Sequence, residues 1–502
     1  MDLPLITLVC ASILTFFILK LLYNQTQNST NLPPGPRPFP IIGNILELGR
    51  NPHIALTKLS KIYGPIMTLK LGTITTIVIS SPQLAKQVLQ EHGQIFSSRT
   101  IPHSAQVSDN HKISIGWLPT NAKWRKLRKV CATKVFSPQV LDSTKVLRQQ
   151  KLKELLDFVK EKSSKGEPLD LGEAIFSTVL NSISNTFFSM DLSHSTSDEK
   201  SREFKSIIEG SMEDAGKPNI ADFFPILRPI DPQGVHARMT NYFVKLANIV
   251  DGIIEERMCS IASRADSKVS NDVLDSILSE IEETSSQLSH REIMLLFLDL
   301  FVAGIDTTSS TVEWAMAELL RNPNKLAKAK EELCEVVGED APLEESHISK
   351  LPYLQAVVKE TFRLHPPAPF LLPHKCDEVV NISGFQVPKD AQVFVNVWAM
   401  GRDPTIWENP NMFEPERFLK CEINFKGNNF ELIPFGAGKR ICPGLPLAHR
   451  SVHLMVAFLL HNFEWKLADG LTPENMNMVE HFGLTLKKMQ PLRVQAISVK
   501  DN

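Results

Sequence analysis

Seven cysteines in 502 residues (positions 10, 131, 259, 334, 376, 421 and 442) form no Cys-x-x-Cys pair and no regular spacing. That argues against a disulfide framework and a structural zinc site, and suits a reducing, cytosolic setting. Charge of one sign is also lacking. A net charge of −2 and a pI near 6.7 leave no electrostatic footprint for nucleic acid. No Rossmann fingerprint is present, so the chain is not expected to bind a nicotinamide itself. There is no internal repeat, and no low-complexity linker after residue 40. With 43% hydrophobic and 22% charged residues the composition is that of a globular protein. Length alone would suggest about three domains. The continuity of the pattern favours one large domain, mainly α with small β-sheets.

What is present begins with an apolar run, Leu3 to Tyr23, interrupted by Lys20 and about long enough to span a bilayer. No small-x-small cleavage site follows it, so residues 1–24 read as an uncleaved membrane anchor. Asp2 before the run and Lys20, Arg37 and Arg50 in or after it favour a cytosolic remainder. Residues 25–40 form a polar and proline-rich hinge. Its sequons at Asn24 and Asn28 read as linker, and Pro33 to Pro40 is too proline-dense for helix or central strand. The body, 41–502, has a likely hairpin signal at Ile66–Ser80 around Gly72 and a second strand-like zone at Ile382–Val397 around Pro388-Lys389-Asp390. Between them the period is helical, broken by polar loops near Ser163–Pro168, Ser263–Asn271 and Gly338–Glu345.

Four stretches carry chemistry. The segment Pro434 to Gly444 sets one thiol, Cys442, after a glycine-bearing loop and before an apolar helical run, Leu445 to Leu460. Gly436 and Gly438 permit backbone geometries that other residues resist. A cysteine at a helix start meets free N–H groups and the positive dipole end, which favours thiolate. Such a thiolate could be a nucleophile, a redox centre or a metal ligand, beside the plainer reading of a buried loop cysteine. A second stretch, Glu292 to Leu320, reads as a long helix with a capping box at Ser289-His-Arg-Glu292 and a stop at Asn322-Pro323. It is apolar nearly all round from Met294 to Ile305 apart from Asp299, so it should cross the interior. At its middle Ala303-Gly304-Ile305-Asp306-Thr307-Thr308 sets a glycine, an acid and alcohols in costly surroundings. Third, Glu360 and Arg363 are i,i+3 on a helix Leu354–Leu364 and can pair. Fourth, on a basic helix Lys123–Lys134, Trp124 and Arg128 share one row, while Arg125 and Lys129, with Lys126 beyond, form another. The first row is expected to face inward and the second outward to an acidic partner. His111 and His481 are singletons.

The pattern Phe435-Gly436-x-Gly438-x-Arg440-x-Cys442-x-Gly444 resembles the haem-binding loop of the cytochrome P-450 monooxygenases. The other motifs follow in the family's order across essentially the whole chain, including Glu360-x-x-Arg363 and Pro415-Glu-Arg417-Phe. The segments Phe301 to Trp314 and Leu432 to Gly438 look like those of the plant geraniol and terpenol hydroxylases. The resemblance implies a haem-thiolate fold behind the N-terminal anchor, with haem b ligated through iron by Cys442. It implies haem contacts from Trp124, Arg128, Arg440, Phe435, Gly436, Arg99, His374, Ala303 and Gly304; His374 stands where relatives often carry arginine. Gly304 and Thr307 would open the helix to dioxygen, with Asp306 and Thr307 relaying protons. Glu360, Arg363 and Arg417 would form a buried, non-catalytic support. Leu296, Leu300, Ala303, Pro369, Phe370 and Phe482 would line the pocket for a small apolar substrate, a monoterpenoid or sesquiterpenoid before a phenolic or alkaloid. Electrons would come from NADPH through a membrane-bound reductase docked at Arg125, Lys126 and Lys129, with a cytochrome b-type protein as a second donor. The expected location is the endoplasmic reticulum membrane, with the catalytic domain cytosolic and Asp222 to Leu227 dipping into the lipid. A haem-thiolate isomerase or dehydratase should lack the Asp306–Thr307 pair, and a haem carrier or sensor would need no proton relay.

Overall fold

The computed structural model describes residues 12, 15, 31–193, 199–262, 272–283, 288–339 and 341–498. The expected anchor Leu3–Tyr23, the two sequons and the loop Ser263–Asn271 lie outside the described residues, apart from positions 12 and 15. The helices that position the site are α1 (Pro52–Tyr63), α2 (Ala122–Val130), α3 (Leu171–Phe188), α4 (Val235–Ala262), α5 (His290–Arg321), α6 (Pro352–Leu364) and α7 (Leu445–Asn462).

The apolar stretch in α5 dictates the architecture. Its 32 residues start at a capping box in which Ser289 Oγ accepts from Glu292 N, and Ser289 N donates to the Glu292 carboxylate at 2.8 Å. The helix stops at Asn322, where Pro323 begins another. It is long and apolar enough to cross a bilayer, but 67% of that window is buried inside the protein, so it is a core helix. Phe297, Phe301, Ile305, Val312 and Met316 are wholly or almost wholly buried, with α3 against one side and α6 and α7 against others.

The main sheet starts with the expected hairpin, Ile66–Leu71 paired with Ile74–Ile79. Gly72 sits between them at φ 56°, a left-handed turn that suits glycine. Gln392–Val395 adds parallel to Ile74–Ile79, then His374–Lys375 antiparallel, then Ser98–Arg99. That register sets Arg99 opposite His374, although they are far apart in sequence. The strand-like zone Ile382–Val397 is not one element. A separate hairpin, Val380–Ile382 with Phe385–Val387, ends at Pro388, and Asp390 turns the chain at φ 64° into the main sheet. A proline without an N–H cannot carry the ladder through. The basic helix is also shorter than expected: after Val130 it widens into a π-turn, Cys131–Val135.

Glu360 and Arg363 are fully buried and pair through two hydrogen bonds of 2.7 Å. Arg417 Nε reaches the same carboxylate at 3.1 Å, and Glu414 N donates to it at 2.7 Å. Arg363 also donates to the carbonyls of Pro410 and Met412. The trio thus ties α6 to the segment 410–417 and leaves no charge unpaired. Arg363→Ala would take two of its hydrogen bonds from the buried Glu360 carboxylate and leave the Pro410 and Met412 carbonyls without their donor, at a cost of about 3–5 kcal/mol. The expected outcome is a large fall in melting temperature or no folded protein, measured by thermal denaturation. A near-wild-type melting point would contradict it.

Candidate active site

The loop Pro434–Gly444 takes its shape from two glycines at φ 71° (Gly436) and 65° (Gly438). A Cβ on Gly438 would lie 2.1 Å from the Leu89 carbonyl oxygen, so no larger residue fits. Cys442 N donates to Phe435 O at 2.9 Å, closing the turn just ahead of α7. Phe435 meets Phe362 of α6 edge-on at 5.2 Å, which fixes the loop to the helix carrying the buried ion pair. Burial pushes the Cys442 thiol up; the Gly444 N–H, the charge of Arg128 and the Leu445 N–H pull it down without cancelling that rise.

Cys442 lies in the wall of a cavity of about 500 Å³, and no other described cysteine does. Phe435 and Gly436 lie beside it, with Ala303, Gly304 and Thr307 of α5 also in the wall. Thr307 Oγ1 donates back to Ala303 O at 2.7 Å, a local bond that leaves the helix continuous. Above this zone the walls are mostly apolar, with Val107, Leu298, Phe243 and Leu371 among them.

Leu300 and Ala303 line the cavity, but Leu296, Pro369, Phe370 and Phe482 do not. Leu296 belongs to the main hydrophobic core. Leu371 adopts φ 56°, a left-handed conformation that is strained for a leucine. In that turn Leu371 lines the cavity and Phe370 packs with Phe394 and Phe482 in a separate cluster. In the hairpin Glu480–Phe482/Leu486–Lys488, the tip residues Leu484 and Thr485 face the cavity instead.

Cations gather at the other end. Arg99, Arg128, Arg440, Trp124 and His374 all line the cavity. Arg440 donates to the carbonyls of Ser97 (2.8 Å), Ile115 (3.3 Å) and Leu118, and lies 4.9 Å over the Trp124 ring. Trp124 Nε1 donates to Ile115 O at 3.1 Å. Arg99 donates to Leu372 O at 2.6 Å, while its Nε is buried without a partner. Burial, then Arg440, holds Arg99 down at about 9; burial, then Arg128, holds Arg440 down at about 10. Among the described residues no carboxylate forms an ion pair with any of these arginines. His374 Nδ1 is 2.7 Å from Phe96 O, so that nitrogen carries the hydrogen. Burial, then Arg99, holds its pKa well below the usual range.

A thiol on one wall and unbalanced guanidiniums on another suit a flat group that has a metal at its centre and carboxylates on its edge. The Cytochrome P450 family model matches residues 33–493. The chain belongs to the cytochrome P450 family. Cytochrome P450 76T24 of Catharanthus roseus is 49% identical over 494 residues, covering 97% of this chain and 99% of the relative. Geraniol 8-hydroxylase of the same plant is 48% identical over 485 residues (96% and 98%). Ferruginol synthase of Salvia miltiorrhiza is 45% identical over 481 residues (96% and 97%).

The protein is therefore a P450 monooxygenase with the mainly helical P450 fold, haem held by a cysteine thiolate, and electrons from NADPH by way of a separate reductase. The residues present fit that group. Among the described residues Cys442 is the one thiol in the cavity wall, and the buried Arg99 Nε and the guanidiniums without an ion pair would be the donors that two propionates require.

Two placements lay beyond the sequence. Asp299, the exception in the apolar run, accepts from Ile115 N at 2.8 Å, and burial raises its carboxyl to about 6. It thereby holds the loop whose carbonyls receive Trp124 and Arg440. Asp306 turns away from the Cys442 cavity. It is 2% exposed, accepts from Thr485 Oγ1 at 2.5 Å and pairs with Lys487 at 2.6 Å. It lines a second, polar cavity of about 280 Å³ with Glu313, Lys205 and His481. Thr485 and Lys487 come from a hairpin about 180 residues later, and no local spacing announces them.

On the outer row of α2, Arg125 and Lys129 are exposed and Lys126 half-buried. Replacing Arg99 with leucine should weaken haem retention by about tenfold or more, through loss of a charge-assisted bond. The ratio of haem to protein absorbance after gel filtration measures this. An unchanged ratio would contradict the clamp.

Proposed function

We propose that this P450 hydroxylates a small terpenoid. The observation that carries the reading is the apolar cavity opening onto Cys442, with few polar groups to anchor a polar substrate. The names geraniol 8-hydroxylase and ferruginol synthase, borne by relatives, belong to terpenoid oxidation. When bound, haem ligated by a thiolate supplies the dioxygen chemistry that puts one oxygen atom into a C–H bond and releases the other as water. The chain's own residues bind, orient and supply protons. Leu300, Ala303 and Leu371 hold the hydrocarbon and exclude water. Thr307 lines the cavity, its hydroxyl bonded back to Ala303 O, and Asp306 collects protons on the far side of α5. Thr485, which borders both cavities and donates to Asp306, supports a relay running from polar cavity to Thr307. Lys487 must release Asp306 for that relay to run.

The same reading makes residues 1–24 a membrane anchor, 25–40 a hinge and 41–502 the catalytic domain, set on the cytosolic face of the endoplasmic reticulum. Phe223 is buried and Phe224 half-buried, so the lipid contact shifts from those aromatics to Ile226 (85% exposed) and Ile230 (71%). Thr73 N donates to Phe223 O, and Gly72 N to Ile42 O. This brings the segment beside Ile41 (60% exposed), and together they make an apolar patch close to the end of the hinge. Arg125, Lys126 and Lys129 would meet an acidic reductase.

A panel of terpenoids and phenolics, supplied with the enzyme and a reductase and read by mass spectrometry, tests the substrate class. A hydroxylated terpenoid is expected, and conversion of phenolics alone would overturn it. Thr307→Ala should cut product formed per NADPH several-fold while NADPH oxidation continues; unchanged coupling would remove Thr307 from the relay. Replacing Arg125, Lys126 and Lys129 by glutamine should slow reductase-driven turnover at low salt, with the gap closing as salt screens the contact. An equal rate at low salt would dismiss the docking face.

A further inference from the structure

A second constellation of charge lies in the core, outside both cavities. His365 follows the last residue of α6 and is buried. Its Nε2 is 2.7 Å from Glu318 of α5, and its Nδ1 is 3.2 Å from Glu480. Two carboxylates on opposite sides of one ring favour the form in which both nitrogens donate, the imidazolium. Burial opposes that charge, but the hydrogen bonds to Glu318 and then Glu480 outweigh it and raise the pKa. Trp314, one turn before Glu318, stacks flat on the ring at 3.9 Å and 2°. Glu480 also takes His53 Nε2 of α1 at 2.9 Å and Trp398 Nε1 at 3.0 Å, and Arg402 stands 3.6 Å away. The two carboxylates thus face the His365 ring and the Arg402 guanidinium.

Stability alone does not call for this arrangement, since apolar residues of similar volume commonly serve as well. Its place in the fold is informative. Two residues after His365 comes the wall segment, in which Pro367, Ala368, Leu371 and Leu372 line the cavity. Glu480 opens the hairpin whose tip, Leu484 and Thr485, lines it from another side. Leu486 N donates to Pro367 O at 2.8 Å, and Ser310 of α5 donates to Leu486 O at 3.0 Å. Three walls of the substrate cavity are therefore fastened at one point that touches no substrate.

We propose that His365 and Glu480 are positioning residues. By pinning the 366–372 turn and the 480–488 hairpin to α5, they set how a substrate lies over the Cys442 end of the cavity, and so which carbon is oxidised. This rests on the monooxygenase reading above and adds the residues that fix its regiochemistry. An ångström of misplacement can change a rate by about a hundredfold, so a small slip of either wall should redistribute products without abolishing chemistry.

The test uses full-length, haem-loaded Glu480→Gln, with His365→Gln as the second variant. Two readouts are taken on protein with an intact thiolate-haem spectrum. One is the regioisomer ratio, with KM and kcat, for a compound that the wild type hydroxylates. The other needs no turnover: the ratio of affinities for 1-phenylimidazole and 4-phenylimidazole, which probe cavity shape through iron ligation. A panel without any terpenoid product would sink the terpenoid reading yet leave the second readout standing. Expected is a change of about tenfold in either ratio, with partial recovery in Glu480→Asp. Unchanged ratios in both variants would overturn the proposal, as would failure of both to hold haem, which would assign the cluster to folding alone.

Discussion

Three guanidiniums are carried into the cavity wall and, among the described residues, none of them forms an ion pair with a carboxylate. Arg99, Arg128 and Arg440 converge on the cavity that Cys442 closes, and burial and mutual repulsion hold Arg99 down at about 9 and Arg440 at about 10. Backbone carbonyls absorb part of this charge, from Ser97, Ile115, Leu118 and Leu372. They do not neutralise it. A chain that folds around unbalanced positive charge needs an anion to complete it, and we propose the carboxylates of haem for that part. The main sheet brings Arg99 and His374 side by side, and Asp299 of α5 holds the 115–118 turn whose carbonyls orient Trp124 and Arg440.

The central helix separates two environments. One side of α5 opens through Ala303, Gly304 and Thr307 to the cavity of Cys442. The adjoining side carries Asp306, Ser309, Ser310 and Glu313 to a polar cavity, where burial raises Glu313 to about 7. An apolar chamber and a cavity lined by carboxylates thus share one wall. Lower down the same helix Trp314 and Glu318 grip His365, so α5 holds the substrate walls as well as dividing the solvent from the reaction.

Local spacing made much of this legible. The glycines of the cysteine loop, the capping box at Ser289, the i,i+3 pair Glu360–Arg363 and the two rows of α2 are short-range patterns, and each forms the element or pairing expected. What the sequence left out depends on contacts between distant segments. Asp306 faces its polar cavity because Thr485 and Lys487 arrive there from a hairpin far along the chain. Phe370 and Phe482 turn from the cavity because Leu371 takes a left-handed conformation and because the hairpin presents its tip. Phe223 is buried by the turn at Gly72, whose Cβ position lies 2.6 Å from the Phe223 carbonyl oxygen. No periodicity carries that information.

The central claim is that Cys442 ligates haem iron as a thiolate. Reducing the purified holoprotein and recording its carbon monoxide difference spectrum tests it most directly, with Cys442→His alongside. The account predicts the strongly red-shifted Soret band of a thiolate–haem carbonyl complex in the wild type and its loss in the variant. A wild-type band at the shorter wavelength of histidine-ligated haem, in protein shown to be folded, would contradict it.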